Sequence, residues 1–401
     1  MAVSSSSNIA DAQSWLPTEG AKVIVTPDHT TTPTNLDTFA TRIVTVRDYG
    51  AACDGNNDDT PAINALVTAI RKAATTAPTV IRGQPGQFCM VNSTVNLTGL
   101  QFGQVRISDL AFKCEMTGTP CVDALGSKLL EWDNVLIFGD ANPTIGLQVG
   151  RVNSSNMQFC DNDTYRHLRI RGNYSVASLY DFACEVSDWS HALLTNTSSL
   201  STAYVAIFDG SNHWNITSAF VTEALAADTQ QSFTRNTFVN LNAQNFGAGK
   251  SIWMENTTGW TLLGSYAEVT AGGECVDLYT ASAGAIQDVV FDLHCENNSA
   301  RSTFLVTGPN ANPTLHGLTY NDEYPEATAA LFYEDAGIST VAARDLTVKV
   351  VNSQTANVPL WNTPSKWSVS TRGIYLPASG YYSAPNAISG LVCLGATCTM
   401  H

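Results

Sequence analysis

Runs of about five residues in which apolar and polar side chains alternate recur along this 401-residue chain, the pattern of strands with one buried and one solvated face. Aligned on their apolar positions they are Asp109–Lys113, Asn134–Phe138, His167–Arg171, Asn240–Gln244, Gly264–Glu268, Asp292–Glu296, Gly317–Asn321 and Asp345–Lys349. Their starts lie 25 and then 33 residues apart in the first three, and 24, 28, 25 and 28 apart in the last five. An imperfect repeat of this length predicts a solenoid, in which each rung stacks its strand on the one before. Leu241, Ser265, Leu293, Leu318 and Leu346 then form one inward column, and Ala243, Ala267, Cys295, Tyr320 and Val348 the next, so Cys295 is predicted buried. Tyr204–Phe208 makes a further rung, whereas residues 186–203 and 216–233 contain longer stretches that follow no strand period.

The same register fixes the outward columns. They read Asn240, Gly264, Asp292, Gly317, Asp345; then Asn242, Tyr266, His294, Thr319, Thr347; then Gln244, Glu268, Glu296, Asn321, Lys349. With rungs about 4.8 Å apart, Glu268 and Glu296 face one side with their carboxyls roughly 5 to 7 Å from each other. Residues 1–44 lack the repeat and carry Thr31-Thr32-Pro33-Thr34, so they are expected to form an arm or adaptor; the solenoid is expected over 45–355. Residues 356–401, rich in Pro, Gly, Ser and Tyr, lose the period and are expected to cap the open end or to meet other chains.

The N-terminal end of the repeat carries a longer motif. Val46-Arg47-Asp48-Tyr49-Gly50-Ala51-Ala52-Cys53-Asp54-Gly55-Asn56-Asn57-Asp58-Asp59-Thr60-Pro61-Ala62-Ile63 reads as a short strand, a turn rich in Gly, Asp and Asn, and a helix start with Pro just inside it. An amphipathic helix over about 60–74 follows. This segment resembles the opening of the pectate-lyase-like superfamily, and bacteriophage tailspike depolymerases begin similarly. The resemblance implies an all-β fold, a right-handed parallel β-helix with an N-terminal capping helix. It also implies a polysaccharide substrate in a lateral or inter-subunit groove, a homotrimer, and a capping role for Asp54, Asp58 and Asp59 rather than a calcium loop.

Composition narrows the partners. The 35 acidic residues against 20 basic ones give a net charge of -15, which argues against nucleic acid or an anionic membrane. No apolar run approaches the roughly 18 residues of a membrane span, and Met1-Ala2-Val3-Ser4-Ser5 shows no signal-peptide pattern. An extracellular or virion-associated protein is expected, with no cofactor and no metal. The ten cysteines show no paired metal-binding spacing and read as buried thiols that pack as small hydrophobes, although Cys114 with Cys121 and Cys393 with Cys398 are spaced to close small loops. Nine N-x-[ST] sequons, such as Asn92 and Asn96, follow from Asn- and Thr-rich turns.

Cleaving a glycosidic bond needs one carboxyl that carries a proton and another that is ionised, and close like charges push two carboxyls apart in acidity. Glu268 and Glu296 are the pair that alternation selects, with His294 beside them and Asp292 as an alternative acid. Tyr266, Gln244, Asn242 and Asn321 are the expected substrate-binding side chains. Two further clusters compete. One joins Asp161, Asp163 and His167 to Arg169 and Arg171, a set of acids and bases suited to a polysaccharide lyase; the other joins Asp181, Glu185 and Asp188 to Trp189 and His191. Trp189, Trp214, Trp253 and Trp260 are candidate sugar-stacking platforms. Hydrolysis is favoured over elimination because the columns of Glu268 and Glu296 meet no basic residue before Lys349. A non-catalytic glycan-binding spike is the alternative from another class, since the fold alone does not choose a reaction.

Overall fold

The computed structural model describes residues 24–25, 34–35, 42–73, 79–100, 105–150, 163–182, 184, 187–209, 236–270, 274–280, 286–297, 302–322, 330–351, 359–377, 385–395 and 397–400. They form a right-handed parallel β-helix. Among the described residues a nine-stranded sheet runs in chain order from Val95–Asn96 to Phe332–Glu334, each strand parallel to the next. A larger sheet carries the rest of each rung, as two strands meeting at a corner. The corner residues Asp109, Asn134, His167, His191, Asn240 and Gly264 all have φ between 53° and 55°. Short polar side chains and glycine tolerate this left-handed backbone, and it turns the chain without breaking either neighbouring ladder.

Between the sheets the inward columns stack like on like. Trp132, Tyr165, Trp189 and Phe238 occupy equivalent positions on consecutive rungs, with centroid separations of 6.1, 3.6 and 5.1 Å. Each such contact contributes about 0.5–1.5 kcal/mol beyond the area it buries. Leu241, Leu293, Leu318 and Leu346, and Ala243, Ala267, Cys295, Tyr320 and Val348, are all buried, as alternation requires.

The helix α1, Thr60–Ala73, packs Ile63, Leu66, Val67 and Ile70 inward, one face at i, i+3, i+4, i+7 spacing. Asp58 accepts from the Thr60 amide at 3.0 Å, while Asp59 accepts from the amides of Ala52 and Cys53 at 2.6 and 3.0 Å. Asp54 accepts from the amides of Asn56 and Asn57. All three acids are thus engaged in holding the turn and the helix start.

Two expectations are corrected here. The cysteines are not free thiols: Cys53–Cys89, Cys114–Cys121, Cys275–Cys295 and Cys393–Cys398 are disulfides, and Cys184 is disulfide-bonded too. The packing argument holds, since Cys295 is fully buried, but its sulfur crosses to the strand-edge residue Cys275 instead of packing alone. The loss of period after residue 356 is not a loss of stacking. Trp367–Leu376 adds a parallel strand to Val341–Val350, Ala387–Leu394 adds another, and Thr397–Met400 closes the edge as an antiparallel hairpin strand.

Candidate active site

The predicted patch forms on the outer face of the large sheet. Asn242 lies beside Tyr266 and Tyr266 beside His294; Gln244 lies beside Glu268 and Glu268 beside Glu296. The Tyr266 hydroxyl reaches both carboxylates, Glu268 Oε2 at 3.2 Å and Glu296 Oε2 more closely, while Gln244 Nε2 donates to the same Glu268 oxygen at 2.9 Å. A phenol has one proton to give, so it serves one carboxylate at a time. Burial, the hydrogen bond to Glu296 and the two negative charges hold the Tyr266 phenol well above its ordinary pKa, which keeps it a donor.

Register breaks at the next rung. Asn321 does not stack on Glu296 as the alignment expected; it lies beside Asp292 and donates to Asp292 Oδ1 at 2.8 Å. The reason is the corner: Gly317, φ 64°, sits directly on Asp288, φ 50°, and not on Asp292. The ladder therefore slips by four residues, an even number, which preserves the faces and changes the neighbours. Alternation also missed Asp322. Its side chain is 1% exposed and accepts from Tyr320 Oη at 2.8 Å and from the Cys295 amide at 3.2 Å, with Oδ1 3.1 Å from His294 Nδ1. It falls one residue beyond the aligned run, and a polar residue at an inward position was the available signal.

A second constellation, absent from the sequence reading, lies on the outer face of the nine-stranded sheet. The strands Ile145–Gly150, Ala177–Phe182 and Tyr204–Asp209 are buried at every position, on both faces. Ile145, Ala177, Tyr180, Phe182, Tyr204 and Ile207 make a hydrophobic cluster separate from the main core, flanked by Trp253. Carboxylates stand among them. Asp209 and Glu255 are register neighbours on adjacent rungs, both 2% exposed, and Tyr180 Oη donates to Asp209 at 2.8 Å. Asp277, beside Trp253 on the following rung, accepts at Oδ2 from Lys250 Nζ at 2.7 Å and from Tyr204 Oη at 2.9 Å. Its Oδ1 is buried without a hydrogen-bond partner. Trp253 lies edge-on to Tyr204 and tilted against Tyr279, with centroids 5.1 and 4.9 Å apart.

Burial raises the Asp277 carboxyl, the charge of Glu274 raises it further, and Lys250 and Tyr204 pull it down; it comes to rest at about 6. A carboxyl poised there holds or releases a proton under mildly acidic conditions, the property wanted of a general acid.

Among the described residues the competing clusters do not converge. Asp163 is buried, accepting from the Leu130 amide at 2.8 Å and Tyr165 Oη at 3.2 Å, whereas His167 is exposed beside Asp133 and Arg169 reaches Asn134. Asp181 is buried, whereas Asp188 and His191 are exposed. Asp161, Glu185 and Trp214 lie outside the described residues. Trp189 and Trp260 are core side chains, not platforms, so Trp253 is the half-buried one of the three described, on an outer face. Cys53, Asp59 and Cys89 converge at metal-ligand spacing, but their sulfurs are bonded to each other and Asp59 holds the turn.

No family model and no curated protein sequence matches this chain. Solved structures do. The enzymatically active domain of tailspike protein 2 from bacteriophage CBA120 superposes with a TM-score of 0.52 at 11% identity, over 86% of this chain and 48% of that one. The ORF18 protein of Geobacillus virus E2 gives 0.44 at 11% identity, over 88% and 61%, and the tailspike of E. coli bacteriophage HK620, solved with a pentasaccharide, gives 0.42 at 10%, over 90% and 78%. The chain thus spans about half the length of the CBA120 domain. At these identities the likeness is one of fold, the parallel β-helix.

Proposed function

We propose that this chain cleaves a polysaccharide by hydrolysis on the outer face of the nine-stranded sheet. Asp277 carries the reading: a fully buried carboxyl, tuned to about 6 by burial against Lys250, with one oxygen left unpartnered beside a half-buried tryptophan. In this reading Asp277 gives its proton to the leaving glycosidic oxygen. The Asp209–Glu255 pair supplies the carboxyl that attacks the sugar or activates water, and Trp253 stacks on a sugar ring. Elimination has less support, because Lys250 is the sole basic residue on the nine strands.

A second reading keeps the reaction at Glu268 and Glu296, with His294 and Asp292 assisting and Tyr266, Gln244, Asn242 and Asn321 binding. The observation that favours it is the single phenol shared between two carboxylates on adjacent rungs. A homotrimer and an extracellular or virion-surface location are part of the proposal. The disulfides support a protein that works outside a reducing cytosol, and among the described residues no helix is long and apolar enough to cross a membrane.

The test is a panel of capsular, fungal and plant polysaccharides, read for new reducing ends and for the ultraviolet absorbance of unsaturated uronates. New reducing ends without that absorbance are expected. Absorbance would turn the reading to a lyase, and binding without either product to a spike. Light scattering that gives one 42.9 kDa chain at micromolar concentration would remove the trimer.

A further inference from the structure

One rung of the large sheet carries outward positive charge that no neighbouring acid among the described residues offsets. Arg169 and Arg171 stand on the strand Arg169–Gly172 with Ile170 buried between them, so alternation sends both guanidiniums to the outer face, about 7 Å apart along the strand. Both are exposed. Among the described residues Arg171 has neither a hydrogen-bond nor an ion-pair partner, and Arg169 reaches only the neutral amide oxygen of Asn134, at 3.0 Å. Other arginines are engaged by acids, Arg82 by Asp109, Arg106 by Asp133 and Arg372 by Asp345. No acid lies on the neighbouring strands Leu136–Gly139 and Leu193–Asn196. Asp140, one residue past the first of them, is already held by Lys113 at 3.1 Å. In place of acids the register sets half-buried apolar side chains around the pair: Leu136 and Leu193 on either side of Arg169, and Phe138 beside Arg171.

We propose that this patch anchors an anionic glycan, one whose sugars carry carboxylate or sulfate groups, on a face separate from the reactive one. A guanidinium is a planar fork of donors that meets the paired oxygens of such a group, and it is more weakly hydrated than an ammonium. Two of them in line along a strand fit charges that recur along a polymer. Leu136, Phe138 and Leu193 offer apolar ground on which the C–H face of a sugar ring packs, which a free inorganic ion would not use. The net charge of -15 opposes a long, densely charged polyanion such as nucleic acid, and leaves room for a short-range contact with a sparsely charged chain. The site goes beyond the cleavage reading and does not rest on it.

The experiment is calorimetric titration of the full chain, at low and at high salt, with hexasaccharides of galacturonate, of a sulfated galactan and of N-acetylglucosamine, and with hexaglutamate. At low salt one or both of the anionic hexasaccharides should bind about tenfold or more tightly than the neutral one and than hexaglutamate, with the margin shrinking at high salt. The tighter of the two names the oxyanion. Arg169→Gln and Arg171→Gln should each weaken that binding by about fivefold or more. Arg344→Gln, which removes an exposed arginine from the strand Val341–Val350 of the same sheet, should leave it unchanged. Equal losses in all three variants would show attraction to charge at large and overturn the proposal. Hexaglutamate or the neutral hexasaccharide binding as tightly as the anionic sugars would overturn it too, as would no binding of either anionic hexasaccharide. Failure of the catalytic reading looks different: Arg171-dependent binding in a protein that cleaves no polymer keeps this proposal and removes the hydrolase. Cleavage of a polymer without any Arg171-dependent binding does the reverse.

Discussion

The two outer faces carry similar residue types to different ends. On the large sheet most of the polar ladder pairs within itself, Gln244 with Glu268, Tyr266 with Glu268 and Glu296, Asn321 with Asp292, His294 with Asp322, and the oxygens left buried without partners are the neutral amide ones of Asn242 and Asn321. Most of these residues are half exposed. On the nine-stranded sheet carboxylates are buried among aromatic rings, one oxygen of Asp277 has no partner, and its acidity is displaced toward neutrality. A half-exposed ladder whose charged groups are paired and whose unpartnered atoms are neutral costs less to keep than a buried charge. A buried, under-satisfied carboxyl costs stability, and function is the usual reason such a cost is tolerated.

The sharpest way to break the contrast is to neutralise one acid on each face. Asp277→Asn should lower turnover of an identified polysaccharide by about two to four orders of magnitude, the scale of lost general acid catalysis, with the circular dichroism spectrum unchanged. Glu268→Gln and Glu296→Gln should each leave turnover within about threefold, a shift of under about 1 kcal/mol in the barrier. The opposite ranking would move the reaction to the large sheet.

Lys250→Met probes how the acid is tuned. Lys250 lowers the Asp277 pKa from what burial alone would set, so its removal lets that pKa rise above about 6. A general acid works while protonated, so the wild-type rate should fall as pH rises through about 6, and in the variant that fall should move to higher pH. A pH profile that stays in place would separate Asp277 from the rate.

The smallest effect concerns a carboxyl inside the solenoid. Burial and then the charges of Asp163 and Asp209 hold Asp181 well above its ordinary pKa. A raised folded-state pKa means that its stability is fully present below the unfolded value near 3.8 and is lost as pH rises toward the folded value. Asp181→Asn should therefore raise the melting temperature at pH 7 by a few degrees, since about 1 kcal/mol moves it by about 2–4 °C or less in a chain of this size. The two proteins should converge near pH 4. A variant that melts lower than wild type at pH 7 would show that the carboxylate contributes to the core as an anion.

What could be read from the sequence follows from these faces. Alternation was visible where one side of a strand meets water, so the register of residues 240–296 and the inward columns emerged directly. Of the nine-stranded sheet only Tyr204–Phe208 stood out as a rung, and it is the strand Tyr204–Asp209; strands such as Ile145–Gly150 did not, because they are buried on both faces and do not alternate. Asp209 sits at the end of such a run, and Asp277 lies in the four-residue strand Val276–Tyr279, too short to carry a period. The slip at Gly317 was hidden because Asp288 and Asp292 are both plausible corner residues, and only stacking distinguishes them. Disulfides between rungs or sheets, such as Cys53–Cys89 and Cys275–Cys295, leave no spacing signature, whereas the short loops of Cys114–Cys121 and Cys393–Cys398 did.

The central claim, that the nine-stranded face is the reactive one, is tested most directly by a crystal structure of Asp277→Asn with an oligosaccharide of the polymer the wild type cleaves. The account predicts a sugar ring stacked on Trp253, with its glycosidic oxygen within hydrogen-bonding distance of residue 277 and the Asp209–Glu255 pair on the opposite side of the scissile bond. A sugar lying instead across Tyr266 and His294, with Trp253 untouched, would contradict it.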